Sequence, residues 1–96
     1  MYKRQSLAFS DINPQAPIHI LVIPKSPYIN FYDFTKNASN KEHESFWKLV
    51  NDVIEHYKVE KEGFRIITNS GNNGNQDVPR FHVHLLGGEN LGRMIG

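Results

Sequence analysis

The sequence predicts an α+β domain built on a mainly antiparallel sheet with one long helix, and three observations carry that prediction. Four strand-type stretches, Ser6–Ser10, Ile18–Pro24, Phe64–Asn69 and Phe81–Leu85, fall into two pairs. Between the pairs, Phe46, Leu49, Val50, Val53, Ile54 and Tyr57 recur at helical spacing. The chain has 96 residues, enough for one domain with a modest core. The order β-β-α-β-β is therefore read as one domain spanning residues 1–96.

Taken in order, Ser6–Ser10 alternates so that Leu7 and Phe9 share one face. Asp11-Ile12-Asn13-Pro14-Gln15-Ala16-Pro17 is a turn, marked by Asn-Pro and a second proline. On residue type alone, Asp11 reads as a turn-capping carboxylate. In Ile18–Pro24, Ile18, Ile20 and Val22 share one face, and His19, Leu21 and Ile23 the other. That nearly continuous apolar run predicts a central strand covered on both sides, with His19 as a satisfied core histidine. Pro24–Asn37 is expected to be a loop with Tyr28, Phe31, Tyr32 and Phe34 packed under it. Ser39-Asn40-Lys41-Glu42 has the form of a capping box, which starts the helix. Glu44, Lys48, Asp52 and Glu55 make its solvated face, His43 and His56 read as exposed, and Trp47 at the stripe's edge suits an interface. Gly63 returns the chain to the sheet, Phe64–Asn69 delivers Asn69 to a glycine-rich loop, and Glu89–Gly96 is expected to be irregular.

Composition excludes several classes. A formal net charge of +1 gives no reason to expect a nucleic-acid polymer or an anionic membrane as partner. There is no cysteine, so neither a disulfide framework nor a thiolate metal site is possible. No apolar run approaches a membrane span, and Met1-Tyr2-Lys3-Arg4-Gln5 lacks the apolar region of a signal peptide. A cytoplasmic location is the resulting expectation.

The chemistry concentrates between Gln76 and Gly88. In Phe81-His82-Val83-His84-Leu85, period-2 alternation projects His82 and His84 from one face, with Arg80 below them. Phe81, Val83 and Leu85 then face a core, and Gly87-Gly88 ends the strand. Upstream, the loop from Thr68 to Gln76 is polar and punctuated by Gly71 and Gly74, a composition that can turn several backbone N–H groups toward one anion. Two imidazoles side by side fit either a metal site or a phosphate site.

Gln76-x-Val78-x-x-x-His82-x-His84-x-x-Gly87-Gly88 resembles the signature of the histidine triad superfamily, in its Hint branch of nucleotide phosphoramidases. The resemblance extends to Ala8-Phe9-x-Asp11-Ile12-Asn13-Pro14-Gln15-Ala16-Pro17-x-His19 and on to Lys25, and continues at Asn69, Gly71 and Gly74. It implies that His82 is the nucleophile, that His84 binds a phosphate oxygen, and that His19 lines the same site. It also implies that Asn69 donates to phosphate, that Asp11 accepts from ribose hydroxyls, and that Phe9 and Ile12 form part of the base pocket. Gly74, Gln76, Asp77 and Arg80 complete the nucleotide-binding set. The implied reaction is hydrolysis of a purine nucleoside phosphoramidate, with no metal or organic cofactor, in a homodimer whose sheets join edge to edge.

Two departures stand out. Arg80 occupies the position of the first triad histidine, and the chain begins after the helix and strand that usually open the domain. Asp77 stands where many members of the family have serine. By alternation the Arg80 guanidinium is expected beside the imidazoles, aiding nucleotide binding and slowing turnover, or else swung out to solvent. On that reasoning Arg80→His raises kcat. Two rival functions remain at this level: a nucleotide-binding or scaffold module without turnover, and a zinc site made by His82, His84 and His19.

Overall fold

The computed structural model describes residues 1–3 and 5–94, so Arg4, Ile95 and Gly96 lie outside the described residues. The strands are β1 (Tyr2–Lys3), β2 (Ser6–Ser10), β3 (Ile18–Pro24), β4 (Phe64–Ile67) and β5 (Val83–Gly87); the helices are α1 (Phe31–Asn37) and α2 (Asn40–Tyr57). They form one antiparallel sheet in the order β1-β2-β3-β5-β4. No helix among the described residues is long and apolar enough to cross a membrane.

The expected α+β architecture is present, with the long helix between two strand pairs. The capping box forms as the sequence indicates: the Ser39 hydroxyl accepts from the Glu42 amide, and the Glu42 carboxylate accepts from the Ser39 amide at 2.9 Å. α2 ends at Lys58, which adopts the left-handed conformation. Phe46, Leu49, Val50 and Val53 are buried along its inner stripe.

Several expectations change. Residues Phe31–Asn37 form a helix where a loop was expected. The Asn30 side chain accepts from the Asp33 amide, and the Asp33 carboxylate accepts from the Ile29 amide, so the helix start is capped from both sides. Of the aromatics in that stretch, Phe34 enters the core, while Tyr32 stays exposed. The strand expected at Phe64–Asn69 stops at Ile67, and the one expected at Phe81–Leu85 is shifted to Val83–Gly87. The short strand β1 adds an edge before Ser6 that the sequence did not suggest. Finally, β3 is central in the sheet order, but it is not covered equally on its two faces. Ala8, Val22, Val83 and Leu85 pack with Phe34, Phe46, Leu49 and Val53 in the core, whereas Leu21 and Ile23 on the other face are half-buried. His43 is likewise not freely exposed, since its ring packs 4.6 Å from Phe34 and accepts from Trp47.

Three phenylalanines tie the layers together. Phe34 stacks on Phe81 at 4.7 Å, and Phe46 lies 5.1 Å from Phe34 and 5.2 Å from Phe81. All three are almost fully buried, and such burial contributes roughly 1.5–3 kcal/mol per side chain. Phe81 thereby fixes the chain just before β5 on the core side, and its neighbour His82 is directed to the opposite face.

Candidate active site

The open face of the sheet carries the polar chemistry. In the register, Phe9 pairs with Leu21, and Leu21 with His84. His19 pairs with Leu86 two residues along. The β2–β3 turn brings Asp11 back over this row, where the Asp11 amide donates to the His19 carbonyl at 2.9 Å. Asp11 also caps its own turn by accepting from the Asn13 amide at 2.8 Å.

The histidines form a chain whose protons can be assigned from their partners. The backbone amide of Gln15 donates to His19 Nδ1 at 3.0 Å. An amide N–H can only donate, so Nδ1 holds a lone pair and the proton of neutral His19 sits on Nε2. His19 Nε2 lies 2.9 Å from His84 Nδ1 and 3.5 Å from the Asp11 carboxylate. His19 therefore donates to His84, and His84 in turn carries its proton on Nε2. Burial holds His84 below the ordinary histidine range, reinforced by the neighbouring His82 and His19 and opposed by Asp11. It is thus kept neutral, with an N–H available as a donor.

His82 is set by a different partner. Its Nδ1 lies 2.8 Å from the Arg80 carbonyl, which can only accept. Nδ1 therefore carries the proton, and Nε2 presents a lone pair. The His82 and His84 rings stand edge to face at 4.9 Å. One imidazole lone pair and one imidazole N–H thus sit side by side on the same face, the pair needed to attack a phosphorus and to stabilise one of its oxygens.

The glycine-rich loop is stitched to itself. Asn69 donates to the Gly74 carbonyl at 2.7 Å, and the backbone N–H of Gln76 donates to the Gly71 carbonyl at 3.0 Å. A Cβ on Gly74 would lie 2.5 Å from the Ser70 carbonyl oxygen, so any side chain there would force the Ser70 backbone to shift. Gln76, expected to contact nucleotide, uses both amide hydrogens on the carbonyls of Ile29 and Val78 and accepts from the Gly71 amide. It braces the loop against the start of α1. Asp77 is exposed.

Arg80 follows neither course that the sequence suggested. Its Nη2 donates to the carbonyls of Pro24 at 2.9 Å and Lys25 at 2.8 Å, and the residue is half-buried. Phe9 and Ile12 are 47% and 92% exposed. The structure therefore brings together His82, His84, His19 and Asp11, with Phe9 one strand away. Gln15 and Thr68, which sequence reasoning passed over, are part of the arrangement: Thr68 donates its hydroxyl to the His82 carbonyl at 2.8 Å. The Gln15 contact is made by backbone, so residue type gave no signal. Thr68 stood in the polar loop but opposite no identifiable partner.

Asp11, His19 and His84 also place three possible metal-ligand atoms within 4.8 Å of one another. His82 is not among them, so the three-histidine zinc site is not the grouping the fold makes. The hydrogen bonds also oppose a cation there. A ligating Nε2 requires the other ring nitrogen to hold the proton, and the Gln15 amide already occupies that nitrogen of His19 as a donor.

A family model described as the HIT domain matches residues 1–91. The chain is 44% identical over 90 residues to an uncharacterised 13.2 kDa HIT-like protein of Azospirillum brasilense, covering 94% of this chain and 74% of the relative. It is 39% identical over 92 residues to a purine nucleoside phosphoramidase of Escherichia coli K12, covering 92% and 73% of the two chains. Among solved structures, a HIT family hydrolase from Clostridium thermocellum superposes with a TM-score of 0.85 at 38% identity, covering 99% of this chain and 82% of that one.

Proposed function

Because the chain belongs to the HIT family, we propose that it is a nucleotide hydrolase acting on a purine nucleoside phosphoramidate through a nucleotidyl-His82 intermediate. The observation that carries this reading is the pairing of tautomers on one face. His82 offers the Nε2 lone pair because the Arg80 carbonyl accepts from its Nδ1–H, and His84 offers an N–H because His19 donates to its Nδ1. The similarity to the E. coli purine nucleoside phosphoramidase supports the choice of substrate class.

In the proposed reaction, His82 Nε2 attacks phosphorus as the P–N bond of the substrate breaks, and the departing nitrogen takes a proton from solvent to leave as the neutral amine. Water then attacks the phosphorus of the nucleotidyl-His82 imidazolium, the P–N bond to His82 breaks, and the proton lost by water returns to solvent as the nucleoside monophosphate and neutral imidazole are released. The His84 N–H stabilises charge on a non-bridging oxygen in both steps. Asp11 accepts from the ribose hydroxyls, the exposed Phe9 and Ile12 contact the base, and Asn69 and Gly74 shape the loop around the phosphate. All of this is protein chemistry and requires no metal or organic cofactor. A fluorogenic adenosine phosphoramidate tests it: hydrolysis by the wild type, lost in His82→Ala, is the expected outcome. Adenosine monophosphate binding without hydrolysis would instead favour the nucleotide-binding or scaffold reading, to which the Arg80 substitution lends weight.

A homodimer belongs to the same reading. β4 is an edge strand, and its Phe64 and Ile66 are each 39% exposed. Pairing of two β4 edges would cover backbone groups and apolar side chains together. Light scattering at micromolar concentration is expected to give twice the chain mass, and a monomer there would remove the dimer from the account.

A further inference from the structure

The nucleophile proposed above lies outside the regular sheet. The β3–β5 ladder ends at the pair Val22–Val83, and the β4–β5 ladder ends at Ile67–His84. His82, one residue earlier, is therefore held by individual contacts. Thr68 donates to its carbonyl, and the Phe81 amide beside it donates to the Tyr28 carbonyl at 2.7 Å. Its ring orientation rests on one bond, from Nδ1–H to the Arg80 carbonyl.

What holds that carbonyl in place is the side chain of the same residue. Arg80 reaches the end of β3, where its Nη2 bridges the carbonyls of Pro24 and Lys25. These are the positions where β3 runs past its last pair with β5, and Pro24 has no amide with which to extend a ladder. The guanidinium thus links the two segments where backbone pairing has stopped. Its Nε is buried without a hydrogen-bond partner, a cost that the two charge-assisted bonds at Nη2 offset.

Resting on the reading of His82 as nucleophile, we propose that Arg80 is a positioning residue for it. By clamping itself to the end of β3, Arg80 aims its own carbonyl at His82 Nδ1 and keeps the Nε2 lone pair turned to the substrate. The residue at the variant position of the motif thereby acts through its backbone, and its charge is directed at protein carbonyls rather than at nucleotide. Losing the clamp lets the carbonyl turn. His82 can then place its proton on Nε2, where it blocks attack.

Two variants and two readouts test this. Arg80→Met keeps an unbranched stem without the donors, and Arg80→Lys keeps a cation able to reach one or both carbonyls. The ¹⁵N shifts of His82 report which ring nitrogen carries the proton, whether or not the protein turns over. The expected result for Arg80→Met is a gain of the Nε2–H form and a fall in kcat of roughly 10–100-fold, the size seen when an orienting outer partner is lost. KM should stay within about twofold, since uniform substrate binding is not touched, and Arg80→Lys should recover the Nδ1–H form at least in part. An unchanged His82 spectrum in Arg80→Met overturns the proposal. So does a raised KM at constant kcat, which would put the guanidinium on the phosphate. If Arg80→Met does not fold, Arg80→Lys decides alone: a wild-type His82 spectrum supports the clamp, and an Nε2–H spectrum in a folded protein overturns it. A wild type that fails to hydrolyse phosphoramidates counts against the proposed reaction, and the spectra still decide the role of Arg80.

Discussion

Replacing His19 by glutamine and by asparagine separates its two hydrogen bonds. Glutamine places an amide N–H close to where histidine carries Nε2, and asparagine places an oxygen close to Nδ1. His19 is 6% exposed, accepts from the Gln15 amide at 3.0 Å and donates to His84 Nδ1 at 2.9 Å. His19→Gln keeps the donor to His84 and leaves Gln15 unpaired; His19→Asn does the reverse. Each loses one hydrogen bond and leaves one partly buried partner unmatched, so each should lose about 1–3 kcal/mol of stability. Stability therefore does not separate them, and turnover does. In His19→Asn nothing holds the His84 proton on Nε2, and the loss approaches that of removing one oxyanion donor, about 10²–10³ in kcat. In His19→Gln that donor survives, and kcat should stay within about tenfold of wild type, the cost of imperfect placement. Steady-state kinetics on an adenosine phosphoramidate, with urea unfolding of both variants, makes the comparison. Asparagine turning over as fast as glutamine, at equal stability, would refute the assignment of protons along Gln15, His19 and His84.

Further outcomes follow from the same geometry. His84→Ala should cost roughly 10²–10³ in kcat while the fold survives, and an unchanged rate would take His84 out of the site. Stability should fall on acidification through His84: above its ordinary value of 6.5 the folded and unfolded chains are both neutral there. Below that value the unfolded chain takes up a proton that the folded site disfavours, so stability drops as pH descends toward the lowered folded value. His84→Asn should flatten that limb of a pH series of urea midpoints, and a limb of unchanged slope would assign it to another group. Gly74→Ala must move the Ser70 backbone, and its loss of about 1–3 kcal/mol should appear as a lower urea midpoint. Arg80→His gives up both bonds to the end of β3, so it should not raise kcat, contrary to what strand alternation alone suggests.

How far the sequence reached follows from which interactions are local. The α2 start was readable because a capping box lies within four consecutive residues, Ser39 to Glu42. β3 was readable to its exact bounds because its apolar run is bordered by prolines. The short helix Phe31–Asn37 was missed because aromatic residues masked its period, while its Asn30–Asp33 cap was the signal to weigh. Of the candidate site, the same-face placement of His82 and His84 came directly from alternation, and the gathering of Asp11 and His19 beside His84 came from the family resemblance. The partners that assign their protons did not, because they are backbone groups brought in by turns: the Gln15 amide and the Arg80 carbonyl. Arg80 itself was misdirected, since alternation gives the direction of a Cβ and says nothing about where a flexible side chain finds acceptors.

The central claim is covalent, and trapping tests it most directly. The protein is mixed with an adenosine phosphoramidate, quenched under mildly basic conditions that preserve phosphorus–nitrogen bonds to histidine, digested, and read by tandem mass spectrometry. The account predicts an adenylyl group on the peptide containing His82, localised to that residue and missing from His82→Ala. Rapid turnover without any adduct, or an adduct on His84 or His19 in place of His82, would contradict it.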